Sequence, residues 1–171
     1  AKRITQGNFR LGAHMAQLAC SHPNIFDFVH CKDKDDTLQN FNISVQVTDT
    51  FMIAVENDLD WDLINPNTNE VVQTIKAKRL WDEICHSAWI TGDPGIVFMD
   101  RVLESQPNPQ LGEIETSNPC GEEWLENYGS CNLGSIDLGK HTVNGGLEWA
   151  LLAETVCAAV RFLDDVVEIN K

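Results

Sequence analysis

Three polar side chains with different chemistry lie close together in the segment SNPCGE. Asn118 can donate and accept hydrogen bonds, Cys120 carries a thiol, and Glu122 carries a carboxylate that can act as a base. In an extended or looped backbone, residues two apart project to the same side, so the three groups can converge on one small volume. Pro119 stiffens the segment, and Gly121 lets a ligand approach the backbone. The pattern is typical of a catalytic loop, and the alternative is a surface loop with an incidental cysteine.

A second cysteine, Cys131, follows in the same turn-rich region. Spacing alone leaves open whether Cys120 and Cys131 form a metal site, a disulfide or a catalytic pair. The six cysteines are irregularly spaced over 171 residues, which argues against the disulfide framework of a small secreted protein. We therefore expect a reducing, cytoplasmic environment, in which cysteines mostly fill cores unless they are placed for redox chemistry or catalysis.

A cluster of cysteine and histidine offers a different kind of site. It consists of Cys20, His22, His30 and Cys31. Structural zinc sites normally show closely spaced pairs of cysteine or histidine ligands, which this cluster lacks. A non-catalytic zinc or interaction module is therefore the alternative from another functional class, and the preferred interpretation assigns no metal ligand.

Composition bounds the classes of function. At 171 residues and 43% hydrophobic, the chain can bury a core of about one domain. Its formal charge of −14 argues against nucleic-acid binding, which needs clustered lysine and arginine. The sequence contains no run of eighteen apolar residues, so nothing in it indicates a membrane span. The chain lacks an initiator Met and its last residues still read as helix, so we expect a segment of a longer protein, incomplete at both ends.

Strand and helix patterns alternate along the chain, and we interpret the fold as α/β. Residues 13–19 and 41–47 are predicted strands, the second because Phe41, Ile43, Val45 and Val47 alternate with polar residues. The remaining predictions are a short helix near Pro23 capped by Ser21, a helix capped by Thr48 or Asp49, a hairpin around 65–69, a helix over 77–90, a loop-like stretch over 104–135 and a long helix from near Gly146.

SNPCGE, followed by YGSCNLGSIDL, resembles the finger loop of the ribonucleotide reductase catalytic subunit, most closely in its class II, adenosylcobalamin-dependent form. TGDPGIVFMDRV, LGEIETSNPCGE and RFLDDVVEIN are also similar to that family, and QGNFRLGAHM resembles its specificity loop. The resemblance implies a central segment of the catalytic barrel domain, part of a ten-stranded α/β barrel. It places the specificity-loop region at 1–14, and the finger loop with its following strand at 114–138.

The resemblance also implies a role for each residue of the finger loop. Cys120 would become a thiyl radical, generated with adenosylcobalamin as cofactor, and would abstract the ribose 3′ hydrogen. Glu122 would take the 3′-hydroxyl proton, and Asn118 would hydrogen-bond the sugar. Pro119 and Gly121 complete the implied substrate-binding segment.

Cys131 matches the family's redox cysteine on the strand after the finger loop. The resemblance implies that its disulfide partner lies outside this chain and that a thioredoxin-type protein reduces the pair. Gln6, Gly7 and Arg10 fall in the specificity loop, where the family contacts the base and relays effector identity. Asn8 and Phe9 depart from the family's usual glycine and arginine there.

The implied activity is conversion of ribonucleoside di- or triphosphates to 2′-deoxyribonucleotides for DNA synthesis. The implied partners are the substrate, a nucleotide effector, the reductant, the remainder of the same enzyme and a second copy in a homodimer, with neither nucleic acid nor membrane. We expect the isolated segment to be inactive. The alternative within the enzyme class is a class I catalytic subunit that receives its radical from a partner protein.

Overall fold

The computed structural model describes residues 12–33, 38 and 40–169. Helices and strands alternate along these residues, which confirms the predicted α/β class. The helices are Ile25–Val29 (α1), Asp49–Glu56 (α2), Ala77–Thr91 (α3), Met99–Glu104 (α4) and Trp149–Ile169 (α5). The strands are His14–Ala19 (β1), Phe41–Val47 (β2), Asp60–Ile64 (β3), Val71–Lys76 (β4), Gly95–Phe98 (β5), Ile114–Ser117 (β6), Trp124–Glu126 (β7), Thr142–Val143 (β8) and Gly146–Leu147 (β9). The chain divides after Tyr128 into two compact units.

A parallel sheet is the centre of the first unit. Its strands follow the order β1-β2-β5, with Gln17 opposite Ser44 and Ser44 opposite Gly95. The helical segments between consecutive strands are the crossovers that parallel strands require. The described residues do not form the closed ten-stranded barrel. They contain three neighbouring strands of a parallel α/β layer.

One face of β2 forms the core of this unit. Val45 and Val47 are fully buried, together with Val29 of α1, Phe51 of α2 and Leu80 of α3. Each such side chain contributes roughly 1.5–3 kcal/mol by leaving water. Ile43, Val45 and Val47 are thus confirmed as buried positions, whereas Phe41 at the start of the strand is only partly buried. Val45 and Val47 pack with the three helices on one side of the sheet.

Two of the capping predictions have different outcomes. Thr48 caps α2 as predicted, because its side chain accepts a hydrogen bond of 3.2 Å from the Phe51 amide. The prediction for Ser21 is wrong, since α1 begins after Asn24 without a side-chain cap. The Ser21 carbonyl instead accepts a 2.7 Å hydrogen bond from the Ile64 amide, which ties β1 to the β3–β4 hairpin.

Besides the parallel sheet, the described part of the first unit contains two hairpins, and the second unit contains the short β8–β9 pair. Strands β3 and β4 pair antiparallel around residues 65–69, as predicted. The loop prediction for 104–135 is wrong in part, because β6 and β7 form a second antiparallel hairpin. The sequence pattern missed it because the two strands have only four and three residues and are stabilised by partners far away in the sequence.

A buried serine joins α3 to the segment that follows α1. The Ser87 side chain is 1% exposed, and its hydroxyl lies 3.0 Å from the Val29 carbonyl and 2.7 Å from Asp33 Oδ1. Asp33 Oδ2 lies 2.6 Å from His30 Nδ1. The hydrogen bond from Ser87, followed by that from His30, holds the pKa of Asp33 below its ordinary value against the opposing effect of burial.

We expect Ser87→Ala to lower the free energy of unfolding of the purified protein by about 1–2 kcal/mol at pH 7. The pKa of Asp33 is lower in the folded than in the unfolded protein. Its ionised carboxylate therefore stabilises the fold fully above the unfolded pKa of about 4, and this stabilisation is lost as pH falls through the folded pKa. Urea unfolding at pH 7 and pH 3 should therefore show a smaller effect at pH 3. Ser105→Ala, which removes an exposed hydroxyl just after the end of α4, is the control. An equal loss at both pH values for Ser87→Ala would contradict the assignment.

The second unit is built on α5. The Asn132 side chain donates a 3.0 Å hydrogen bond to the Leu163 carbonyl. His141 is largely buried between the Asp137 carbonyl and the Thr155 hydroxyl, with both distances at 2.9 Å. Among the residues that the structure describes, neither α5 nor any other helix is long and apolar enough to cross a membrane.

Candidate functional site

The proposed finger loop is a tight turn at the tip of the β6–β7 hairpin. The Gly121 amide donates to the Asn118 carbonyl at 3.1 Å, and Gly121 has a φ of +84°, which favours glycine. The Asn118 side-chain oxygen accepts from the amides of Gly121 and Glu123, both at 3.1 Å. Asn118 therefore closes the turn, and Cys120 lies exposed at its tip.

Hydrogen bonds hold this turn on both sides of Cys120. The Asn42 side chain donates to the Pro119 carbonyl at 2.8 Å. The Trp124 indole donates to the Gly121 carbonyl at 2.9 Å. The two peptide carbonyls that flank the cysteine residue are thus fixed, so the position of the thiol is defined by β2 and β7 together.

The polar face of the parallel sheet supports the strand that leads into the turn. Gln17 donates to the Ser117 hydroxyl at 3.0 Å. Gln46 lies with its Nε2 at 2.5 Å from the Glu115 carbonyl and at 3.1 Å from Gln17 Oε1. These supporting residues were missed in the sequence, although the polar positions of β2 alternate there with the apolar ones.

Cys120 lines a cavity between the turn and the sheet. The cavity has a volume of about 530 Å³, and its walls include Met15 of β1, Ser44 of β2, Gly95 of β5 and Trp124 of β7. This volume lies in the range of small-molecule sites. A thiol at the wall of a cavity of this size can meet a substrate, which is the arrangement that the sequence predicted for Cys120.

Glu122 lines a second cavity, of about 450 Å³. Trp124 and Arg101 line both cavities. We expected Asn118, Cys120 and Glu122 to converge on one small volume, in either an extended or a looped backbone. In the turn that forms, Cys120 and Glu122 line different cavities. The structure brings Asn118 and Cys120 into one turn and places Glu122 at the neighbouring cavity.

Arg101 supplies positive charge at the walls of both cavities. Its guanidinium contacts the carboxylates of Asp49 and Glu104. The hydrogen bond to Asp49 is the main cause that raises the pKa of Arg101 above its ordinary value. The arginine therefore stays charged and links α4 to the start of α2.

For the enzyme that the sequence predicts, we expect Asn42→Ala to lower kcat by about tenfold, because the change frees the Pro119 carbonyl and loosens the Cys120 turn. Steady-state kinetics should show a smaller change in KM, since the substrate contacts remain. Asn57→Ala is the matched control, because Asn57 makes an exposed amide-to-carbonyl hydrogen bond at the end of α2. A value of kcat equal to that of the wild type would show that Asn42 does not position the turn.

The other predicted site residues lie elsewhere. Cys131 belongs to the second unit and is exposed. Residues 129–137 pair with no strand among the described residues, so the predicted strand there stays a prediction. The neighbouring Asn132 hydrogen-bonds α5. The predicted specificity-loop residues Gln6, Gly7 and Arg10 lie outside the described residues.

The cysteine and histidine cluster does not form a metal site. Within the described ranges, no three His, Cys, Asp or Glu side chains are grouped to hold an ion. Cys20 is buried in the core, and this burial raises the pKa of its thiol to about 12. His30 lies between the carboxylates of Asp33 and Glu83. The structure thus places Cys20 in the core and pairs His30 with two carboxylates.

Comparison with known proteins covers the whole chain. The family described as "Ribonucleotide reductase, barrel domain" matches residues 1–171. The vitamin B12-dependent ribonucleoside-diphosphate reductase of Thermoplasma acidophilum is 48% identical over 98% of this chain and 22% of its own length. The enzyme of the same name from Mycobacterium tuberculosis is 46% identical over 98% of this chain and 24% of its own length.

A viral relative extends the comparison. The putative ribonucleoside-diphosphate reductase large subunit of Frog virus 3 is 31% identical over 95% of this chain and 30% of its own length. The chain thus spans less than a third of the length of each of these three relatives. The chain belongs to the ribonucleotide reductase family, and its residues match the barrel domain of that family.

Proposed function

We propose that this chain is part of an enzyme that reduces ribonucleotides to 2′-deoxyribonucleotides by thiyl-radical chemistry, with adenosylcobalamin as cofactor. The observation that carries the proposal is Cys120, an exposed thiol on a clamped turn at the wall of a cavity of about 530 Å³. The relatives from Thermoplasma acidophilum and Mycobacterium tuberculosis are both named as vitamin B12-dependent, which supports the choice of cofactor.

The residues of the site fit this cofactor. A corrin ring carries its own nitrogen ligands for cobalt, so the lack of a grouped set of metal ligands in the described residues is compatible with it. The group that the chain must supply is a hydrogen-atom donor, and the exposed thiol of Cys120 is such a donor. When bound, adenosylcobalamin supplies a carbon-centred radical. The turn then holds the Cys120 sulfur in place as its S–H bond breaks.

Four residues of the chain have separate roles in the steps that follow. The Cys120 thiyl takes the 3′ hydrogen atom of the ribose, and Glu122 accepts the 3′-hydroxyl proton while the 2′-hydroxyl leaves as water with a proton from one of the two redox thiols. Glu122 returns its proton to the 3′-oxygen when the sugar is reduced. The side-chain nitrogen of Asn118 is available for the sugar, because the oxygen already accepts two amides. Cys131 and its partner thiol supply two electrons and become a disulfide, after which Cys120 returns the hydrogen atom to C3′. The sum is one ribonucleotide and two thiols converted to a deoxyribonucleotide, water and a disulfide.

The geometry suggests where the sugar lies. Cys120 and Glu122 line different cavities that share Trp124 and Arg101 as walls. A sugar that contacts both residues therefore lies beside Trp124. Closure of the active site around the substrate would bring the Glu122 carboxylate to the 3′-hydroxyl.

The proposal includes the partners of the complete enzyme. These are the remainder of the same protein, a nucleotide effector acting through Gln6, Gly7 and Arg10, a thioredoxin-type reductant, and a second copy in a homodimer. A reducing, cytoplasmic setting is part of the proposal, because the irregular spacing of the six cysteines does not fit a secreted disulfide framework.

The experiment that tests the proposed function uses the complete enzyme with a ribonucleoside diphosphate, adenosylcobalamin and a dithiol reductant. We expect deoxyribonucleotide to form without a second protein subunit. The name of the Frog virus 3 relative, a large subunit, favours the alternative of a class I enzyme. Turnover that requires a radical-generating partner and ignores adenosylcobalamin would establish that alternative.

A further inference from the structure

Ser44 of β2 is a buried residue whose hydroxyl has no hydrogen-bond partner among the described residues. It is 7% exposed, and the residue lines the same cavity as Cys120. Its hydroxyl makes no hydrogen bond to any other residue in the described part of the chain. In that part, no fully enclosed side-chain nitrogen or oxygen lacks a partner, so the Ser44 hydroxyl must be reachable from the cavity.

The neighbouring strand leaves space for this hydroxyl. Gly95 of β5 lies opposite Ser44 in the register of the sheet. A Cβ atom at Gly95 would lie 2.9 Å from Ser44 Oγ, closer than real side chains come. The absence of a side chain at Gly95 therefore allows the hydroxyl its position at the cavity wall.

The other polar residues on this face of the sheet have partners in the protein. Gln17, Asn42 and Gln46 use their amide nitrogens to hold β6 and the turn. Ser44 lies among them along β1 and β2 but takes no part in this support. Because the Ser44 hydroxyl is not committed to another residue in the described part of the chain, it is free to donate a hydrogen bond to, and accept one from, a molecule in the cavity.

We propose that Ser44 is a sugar-binding residue whose hydroxyl hydrogen-bonds a hydroxyl of the nucleoside that occupies the Cys120 cavity. A serine hydroxyl both donates and accepts, which matches the same two capacities of a sugar hydroxyl. The inference rests on the proposed function, because that function puts a nucleoside next to Cys120. The nucleoside sugar belongs either to the substrate or to the adenosyl group of the cofactor, and the experiment separates the two.

The test measures binding to the complete enzyme by calorimetry. ADP, in the absence of cofactor, probes the substrate sugar, and 5′-deoxyadenosine probes the adenosyl sugar. We expect Ser44→Ala to raise the Kd for one of these probes by about three- to tenfold, the worth of one neutral hydrogen bond. Thr68→Ala, in the turn of the β3–β4 hairpin, is the control and should leave both Kd values unchanged.

A second substitution checks that the hydroxyl itself is responsible. Gly95→Ala should weaken the same probe, because the new methyl group displaces the Ser44 hydroxyl. In a Ser44→Ala background, Gly95→Ala should have a much smaller effect. The melting temperature of each variant shows whether the fold is retained.

The outcomes separate this inference from the proposed function. If wild-type enzyme reduces ribonucleotides and binds both probes, but Ser44→Ala binds both equally well, the role of Ser44 is overturned and the function stands. If wild-type enzyme neither binds ADP nor reduces ribonucleotides, the function itself is overturned, and this inference with it. If Ser44→Ala raises the Kd for ADP, Ser44 binds the substrate sugar. If it raises only the Kd for 5′-deoxyadenosine, Ser44 binds the cofactor sugar.

Discussion

The Cys120→Ala variant of the complete enzyme is expected to lose nucleotide reduction by roughly 10⁴-fold or more, as for loss of a residue that itself forms and breaks a bond. The thiol is the group whose hydrogen atom must leave and return in each cycle, and alanine has no weak bond to hydrogen. Cys120→Ser should fail equally, because an O–H bond is much stronger than an S–H bond. Deoxyribonucleotide formation, followed by chromatography, measures both variants.

The control for this prediction is Cys85→Ala. Cys85 is also an exposed cysteine, but it lies on α3 of the same unit and lines none of the cavities near the turn. Its removal should leave turnover within about twofold of wild type, since exposed substitutions away from a site rarely have large effects. Substantial product from the Cys120→Ala enzyme would end the assignment of Cys120 as radical carrier.

The second large effect is expected at Cys131. Cys131→Ser should stop multiple turnover when a dithiol or thioredoxin is the reductant, because a hydroxyl cannot form the disulfide that delivers two electrons. Product measured against active-site concentration should not exceed about one equivalent in that variant, as a blocked cycle would give.

Cys157→Ser is the matched control, because Cys157 is an exposed cysteine of the same unit, on α5. It should sustain many turnovers. If Cys131→Ser turns over with thioredoxin as fast as wild type, the redox role of Cys131 is excluded, while the radical role of Cys120 is untouched.

The strand β2 shows how far the sequence could lead. Its alternation correctly predicted a strand with Val45 and Val47 in the core. The same alternation also carries information about the opposite face of β2, because strands of parallel sheets are normally apolar on both faces. The polar residues Asn42, Ser44 and Gln46 therefore indicated that something polar covers the other face, and the structure shows that it is β6 and the Cys120 turn.

The turn shows where local reasoning stops. The residue types of SNPCGE predicted a candidate site, but the geometry of the turn depends on contacts that join residues far apart in the sequence. Asn42 and Pro119 are 77 positions apart, and Gln17 and Ser117 are 100 apart. No local pattern specifies such pairs, so the separation of Cys120 from Glu122 around Trp124 could not be predicted. The short strands β6 and β7 were missed for the same reason.

Hydrogen exchange through the Cys120 thiol tests the central claim most directly. The complete enzyme is incubated with adenosylcobalamin and effector nucleotide in D₂O, where the S–H group of Cys120 exchanges to S–D. Mass spectrometry of the recovered cofactor then measures deuterium at the adenosyl 5′ carbon. Wild-type enzyme should introduce deuterium there and the Cys120→Ala enzyme should introduce none. Equal deuterium incorporation by the two enzymes would contradict the account.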